Sequence, residues 1–226
     1  MIELHRHSKP RQDRSAKRTI PNVSKRVGVS VIVANNQMEW WERNGGAKFL
    51  KKIGLRSGQK ILDFGCRVGH YAIPAARGVG SRGTVYAMDK ESEALNELNR
   101  KVIAYDLTNV KTIKTSGHIK LPLESRVIDI VLLYDVLHYF VKDKRMKLYQ
   151  EVFRVLKEGG MLSVYPKHTA EDNPLMELQH IRSTDVRKEI LSSGFQFKRR
   201  YCGIISHDDG LNKGCVLNFR KLAGAL

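Results

Sequence analysis

From Lys60 onward the chain alternates short apolar runs with stretches of helical periodicity, and that alternation leaves few folds open. Residues 60–64 are an apolar run ending at Gly65, residues 83–88 are a second, and residues 127–133 are apolar almost throughout. A run without polar alternation suits a parallel strand buried on both faces. Helical spacing fills the gaps: residues 70–77, then 91–102 with Ala94, Leu95, Leu98 and Val102 on one face, then 143–156 with Leu148, Val152, Val155 and Leu156. Residues 110–114 read as a weaker strand. Gly159 and Gly160 are expected to cap the third helix, and residues 161–165 to form the next strand. A last helix is expected over 183–192, followed by strands at 195–201 and 216–220 around a polar loop, 206–214. Strands alternating with helices predict an α/β fold, a doubly wound, mostly parallel sheet with helices on both faces. Residues 36–53 read as a leading helix, with Trp40, Phe49, Leu50 and Ile53 available to a core.

In such a sheet, ligands bind at the carboxyl ends of the strands. The first strand ends in Asp63-Phe64-Gly65-Cys66-Arg67-Val68-Gly69. Gly65 permits a tight turn, and Gly69 would let a ligand approach the start of the following helix. Asp89 ends the second strand, where a carboxylate can accept hydrogen bonds from both ribose hydroxyls. An adenosine-containing ligand is therefore expected. Asp63 tilts the choice between two kinds towards a sulfonium cofactor: an acid beside the turn repels a pyrophosphate and attracts a sulfonium and an ammonium. After the fourth strand, Tyr134, Asp135, His138 and Tyr139 cluster, and His138 has a reference pKa suited to a general base. Each also has a bland reading, Asp135 as a cap and His138 as a satisfied helix residue.

The stretches ILDFGCRVGHYAIPAA, VYAMDKESEAL, LPLESRVIDIVLLYDVLHYF and EVFRVLKEGGMLSVYP together resemble the ordered motifs of class I S-adenosylmethionine-dependent methyltransferases. The resemblance is nearest to the subgroup containing quinone-biosynthesis and other small-molecule methyltransferases. It implies a Rossmann-like seven-stranded sheet with an antiparallel last strand, S-adenosylmethionine as cofactor, and direct methyl transfer to a small-molecule acceptor. It also implies cofactor-binding roles for Asp63, Gly65, Cys66, Gly69, Asp89, Lys90, Gly117, His118 and Leu133. Catalytic candidates are Tyr134, Asp135 and His138, beside the methyl group. Two positions depart from the family pattern: Arg67 replaces a small residue, and Gly117 stands where an acid is common. A non-catalytic S-adenosylmethionine-binding domain is one alternative reading.

Charge supplies another. The 226 residues carry a formal charge of +17, and residues 1–26 alone hold eight basic residues against Glu3 and Asp13. Residues 1–35 lack periodicity and are read as a basic N-terminal arm, with the domain spanning 36–226. A basic arm suits weak nucleic-acid contact, and an RNA or other nucleic-acid methyltransferase is the corresponding alternative. No N/D/S-P-P-Y/F motif, which marks many amino-group methyltransferases, follows the fourth strand. No apolar run reaches the length of a membrane span, and no secretory signal is read, so a cytoplasmic protein is expected. Cys66, Cys202 and Cys215 are expected to stay reduced rather than form a disulfide or a zinc site. His5-Arg6-His7 lacks a third ligand, so no metal is assigned.

Overall fold

The computed structural model describes residues 36–222 apart from His118. The basic arm and His118 therefore lie outside the described residues. Seven strands form one sheet in the order β3-β2-β1-β4-β5-β7-β6. They are β1 (Lys60–Phe64), β2 (Thr84–Asp89), β3 (Val110–Lys114), β4 (Ile128–Tyr134), β5 (Leu156–Tyr165), β6 (Phe195–His207) and β7 (Gly210–Lys221). Neighbours from β3 through β5 pair in parallel, whereas β7 runs antiparallel to both β5 and β6. The expected sheet, with its antiparallel last strand, is the one observed.

Alternate residues of each central strand feed two separate cores, as the pleat requires. Ile61, Ile130 and Leu132 pack under α1 (Gly46–Ile53), α2 (Ala72–Val79) and α3 (Ser92–Ala104). Leu62, Val131 and Leu133 pack under α4 (Lys142–Val155) and α5 (Ser183–Ser192). The β4 run is apolar throughout because both faces are covered. A bidentate pair from Arg145 on α4 to Glu189 on α5, at 2.7 and 2.9 Å, ties the second layer together.

Four local expectations are corrected. Trp41, not Trp40, enters the core: their exposures are 2% and 52%. Residues 41–45 form a π-turn, closed by the Gly46 amide on the Trp41 carbonyl, and its wider spacing rotates the apolar stripe by one position. Gly159 and Gly160 do not cap α4. The helix passes straight into β5, and Gly159 (φ 68°) lies inside the strand where its register against β4 shifts. The polar stretch 206–214 is not a loop, because β6 and β7 stay paired up to His207 opposite Gly210. Cys202 and Cys215 face each other across that hairpin and form a disulfide. The pairing depends on hairpin register, which cysteine spacing does not reveal. Cys66 remains a buried free thiol.

Candidate functional site

The carboxyl ends of β1, β2 and β4 surround a cavity of about 420 Å³. Its apolar wall includes Phe64, Met88, Val136 and Phe140, and its polar rim includes Asp89, Lys90, Thr115, Gly117 and Asp135. The turn after β1 is pinned to β2, since the Gly65 and Cys66 amides both donate to the Met88 carbonyl. Gly65 takes φ 78°, and a Cβ there would press on Val136 at 3.0 Å. At Gly69 (φ 93°) a Cβ would meet Leu98 at 2.4 Å and Ile73 at 3.3 Å. The missing side chain at Gly69 thus makes room for packing against α2 and α3, rather than for a ligand.

Asp89 sits at the cavity wall, and its two carboxylate oxygens accept from the Arg67 amide at 2.8 Å and the Glu91 amide at 2.9 Å. Each oxygen keeps a further lone pair for a ligand. Arg67 adopts φ 44°, and its half-exposed side chain lies at the cavity rim, with its guanidinium 3.5 Å from the Asp208 carboxylate at the hairpin tip. It does not pair with Asp63. Gly117 (φ 82°) donates its amide to the Thr115 hydroxyl in the loop that edges the cavity.

Asp63 does not line the cavity. It is buried behind the turn, and its Oδ2 has no hydrogen-bond partner among the described residues. Burial, reinforced by the Asp89 charge, pushes its carboxyl up to about 7, against a hydrogen bond from the Ala72 amide. The Cys66 thiol is also held up, chiefly by burial, so it is no nucleophile at neutral pH. Leu133 is fully buried in the second core and is not among the residues lining the cavity.

At the end of β4 the three catalytic candidates separate. Tyr134 is tied inward: its hydroxyl bonds Ser163 at 2.7 Å, and burial raises its pKa. Asp135 (φ 54°) reaches the cavity, and burial raises its carboxyl to about 6, opposed by His168. His138 is 2% exposed, with Nδ1 at 3.5 Å from Asp135 Oδ1, and burial lowers it to about 4. It is neutral at pH 7, but it stands behind Asp135 and does not line the cavity. Two residues that the sequence reading missed, His168 after β5 and His207 at the end of β6, meet the same carboxylate at 3.3 and 3.2 Å. Only strand order brings them together, and no local motif announces them. A second cavity of about 590 Å³ lies between the β6–β7 hairpin and the loop after β5, apart from the glycine turn.

Residues 61–160 match the family model described as a methyltransferase domain. That stretch of the chain is similar in sequence to methyltransferase domains. Demethylmenaquinone methyltransferase of Staphylococcus aureus (strain MRSA252) is 32% identical over 150 residues, which cover 64% of this chain and 57% of that protein. The Lactobacillus johnsonii protein of the same name is 27% identical, over 64% of this chain and 58% of its own length. The aligned region thus spans well under two thirds of these relatives. Among solved structures, an S-adenosylmethionine-dependent methyltransferase from Aquifex aeolicus superposes with TM-score 0.65 at 23% identity, covering 81% of this chain and 93% of its own. The cyclase SpnF superposes with TM-score 0.61 at 15% identity, over 79% of this chain and 81% of its own. At these identities the superpositions establish the fold, and the cyclase among them illustrates that the fold alone does not name the reaction. No helix among the described residues is long and apolar enough to cross a membrane.

Proposed function

We propose that the domain binds S-adenosylmethionine, adenosine end in the 420 Å³ cavity, and transfers its methyl group to a small-molecule acceptor reaching Asp135. The observation that carries this reading is Asp89 on the rim of a cavity whose apolar wall includes Phe64, Met88 and Val136, a carboxylate and apolar wall suited to ribose and adenine. The orphaned Oδ2 of Asp63 fits as well, as an unpartnered buried acceptor behind the turn where a cationic amino-acid moiety would lie. When bound, the cofactor supplies an electrophilic methyl group on a cationic sulfur, open to in-line displacement. The chain's own part is mainly positioning, because proximity dominates such a displacement. Asp89 holds the ribose hydroxyls, Gly117 and Lys90 edge the adenine, and Asp135 takes a proton from an acceptor that must lose one. His138 acts through Asp135, as a positioning residue.

The named function of the Staphylococcus and Lactobacillus relatives makes a hydroxylated aromatic or quinol the first acceptor class to try. Calorimetric titration should show binding of S-adenosylmethionine and its demethylated product, and much weaker binding of NAD. Tighter NAD binding would overturn the cofactor. Labelled-methyl transfer would then be screened over quinols, other small metabolites and RNA. Labelling of RNA alone would favour the nucleic-acid reading suggested by the +17 charge.

A further inference from the structure

We propose that Asp135, His168 and His207 form a site for a divalent first-row transition metal, zinc by preference, at the acceptor end of the cavity. Four atoms meet there: His168 Nε2 lies 3.3 Å from Asp135 Oδ1, His207 Nε2 lies 3.2 Å from Asp135 Oδ2, and the two Nε2 atoms are 3.3 Å apart. Bonds of about 2.0–2.1 Å in tetrahedral geometry set ligand atoms about 3.3 Å apart. The three groups are therefore spaced as a zinc ion would hold them, and two imidazoles with one carboxylate are a usual donor set for such ions.

Hydrogen bonding fixes how the two rings are turned. His168 Nδ1 donates to the Asn173 carbonyl at 2.9 Å, which turns Nε2 towards the carboxylate and towards His207 Nε2. His207 Nδ1 faces the Asp208 carboxylate at 3.5 Å, which turns its Nε2 the same way. The outward contacts of the two rings are also what a metal site requires, since an oxygen acceptor on the far nitrogen fixes ring orientation and tautomer.

An independent observation points to the same place. His138 is almost wholly buried, its Nδ1 lacks a hydrogen-bond partner among the described residues, and so does Asp135 Oδ1 beside it. Ligand atoms of Asp135, His138 and His168 fall within 4.8 Å of one another. His138 thus stands within reach of the same carboxylate and of His168, behind the two rings. Asp135 also lines the cavity, so a bound metal would meet an acceptor's hydroxyl or carbonyl oxygen there. That role rests on the proposed methyl transfer, but metal binding does not.

The test uses the full, untagged chain, stripped with a chelator and dialysed against Zn²⁺ alone or Co²⁺ alone. The expected result is one equivalent bound, an intense visible band of four-coordinate cobalt, and at least tenfold weaker binding in His168→Ala and His207→Gln. A His5→Ala/His7→Ala variant should bind as the parent does. Circular dichroism and binding of S-adenosylhomocysteine to the metal-free proteins report folding and the cofactor site separately. Absence of a stoichiometric metal in the parent chain overturns the proposal even if the variants misfold. So does metal binding that survives in folded His168→Ala and His207→Gln. Loss of S-adenosylhomocysteine binding with metal binding intact overturns the cofactor reading and leaves the metal site standing.

Discussion

The two halves of the sheet build their sites in different ways. Around β1 and β2 the contacts are local and largely made by backbone: the Gly65 and Cys66 amides on Met88, and the Arg67 and Glu91 amides on Asp89. Around β4, β5 and β6 they are side chains from three strand ends converging on Asp135. A turn specified by one short segment can be recognised from that segment. A cluster whose members meet only after the sheet has closed is held by the strands that carry it, and the hairpin carrying His207 lies at the sheet's edge. The adenosine half should therefore tolerate damage to the hairpin, while the acceptor half should not.

The largest expected effect comes from the disulfide. Cys202 and Cys215 are 13 residues apart, and closing a loop of that size stabilises by about 3 kcal/mol, mainly by restricting the unfolded chain. Cys202→Ser/Cys215→Ser should lower the free energy of unfolding by an amount of that order in denaturant titration. Affinity for S-adenosylhomocysteine should change little. A cofactor affinity that falls in step with hairpin stability would erase the distinction between the halves.

Next comes Asp89→Ala. Removing charge-assisted hydrogen bonds to the ribose should weaken S-adenosylhomocysteine by about 2–3 kcal/mol, or roughly 30- to 150-fold. Asp89 also receives two loop amides, so a smaller loss of thermal stability should accompany it. Unchanged affinity in calorimetry would reduce Asp89 to a structural clasp.

Much of the first half was legible before any coordinates. The glycine turn, Asp89 at the end of β2 and the doubly buried β4 all follow from patterns of a few adjacent residues. What escaped was of two kinds. Trp41 replaced Trp40 because a π-turn shifts the period, and nothing in the spacing of apolar residues encodes that shift. His168 and His207 escaped because their meeting depends on β7 lying between β5 and β6, and on a hairpin paired as far as His207 rather than opening at Ser206. A polar strand at a sheet edge has the composition of a loop.

Asp63 permits a test through pH. Its carboxyl is raised from 3.8 to about 7 by burial, so the folded state holds its proton more tightly than the unfolded chain does. The sign follows: this group costs no stability below about pH 4, costs increasingly as pH rises towards 7, and costs a constant amount above that. Asp63→Asn should therefore stabilise the protein at pH 8 and hardly at all at pH 4, read as a difference between denaturant midpoints at the two pH values. If the buried charge serves the cationic end of the cofactor, the same variant should weaken S-adenosylmethionine more than 5′-methylthioadenosine, which lacks that end. Equal weakening of both would leave Asp63 as a support for the turn.

The smallest effect is expected at Arg67, where the turn departs from the family pattern. A β-carbon at φ 44° costs on the order of 1 kcal/mol relative to glycine, which enters this region freely. Against that stands only the pair with Asp208 at 3.5 Å, whose side chains are 58% and 67% exposed. Exposed pairs of this kind contribute little. Arg67→Gly should therefore leave stability unchanged or raise it by up to about 1 kcal/mol, the gain being offset by glycine's larger unfolded-state entropy. Its amide, which donates to Asp89, is retained, so cofactor affinity should stay within about threefold of the parent. The variant also severs the Arg67–Asp208 pair between the glycine turn and the hairpin tip, while the contact of His70 with Asp209 at 3.4 Å remains. If affinity for S-adenosylhomocysteine rises tenfold or more, Arg67 is an obstruction and the natural domain is a degenerate methyltransferase fold. If affinity holds while metal binding at Asp135, His168 and His207 weakens, the turn helps to seat the hairpin, and the two halves are coupled after all.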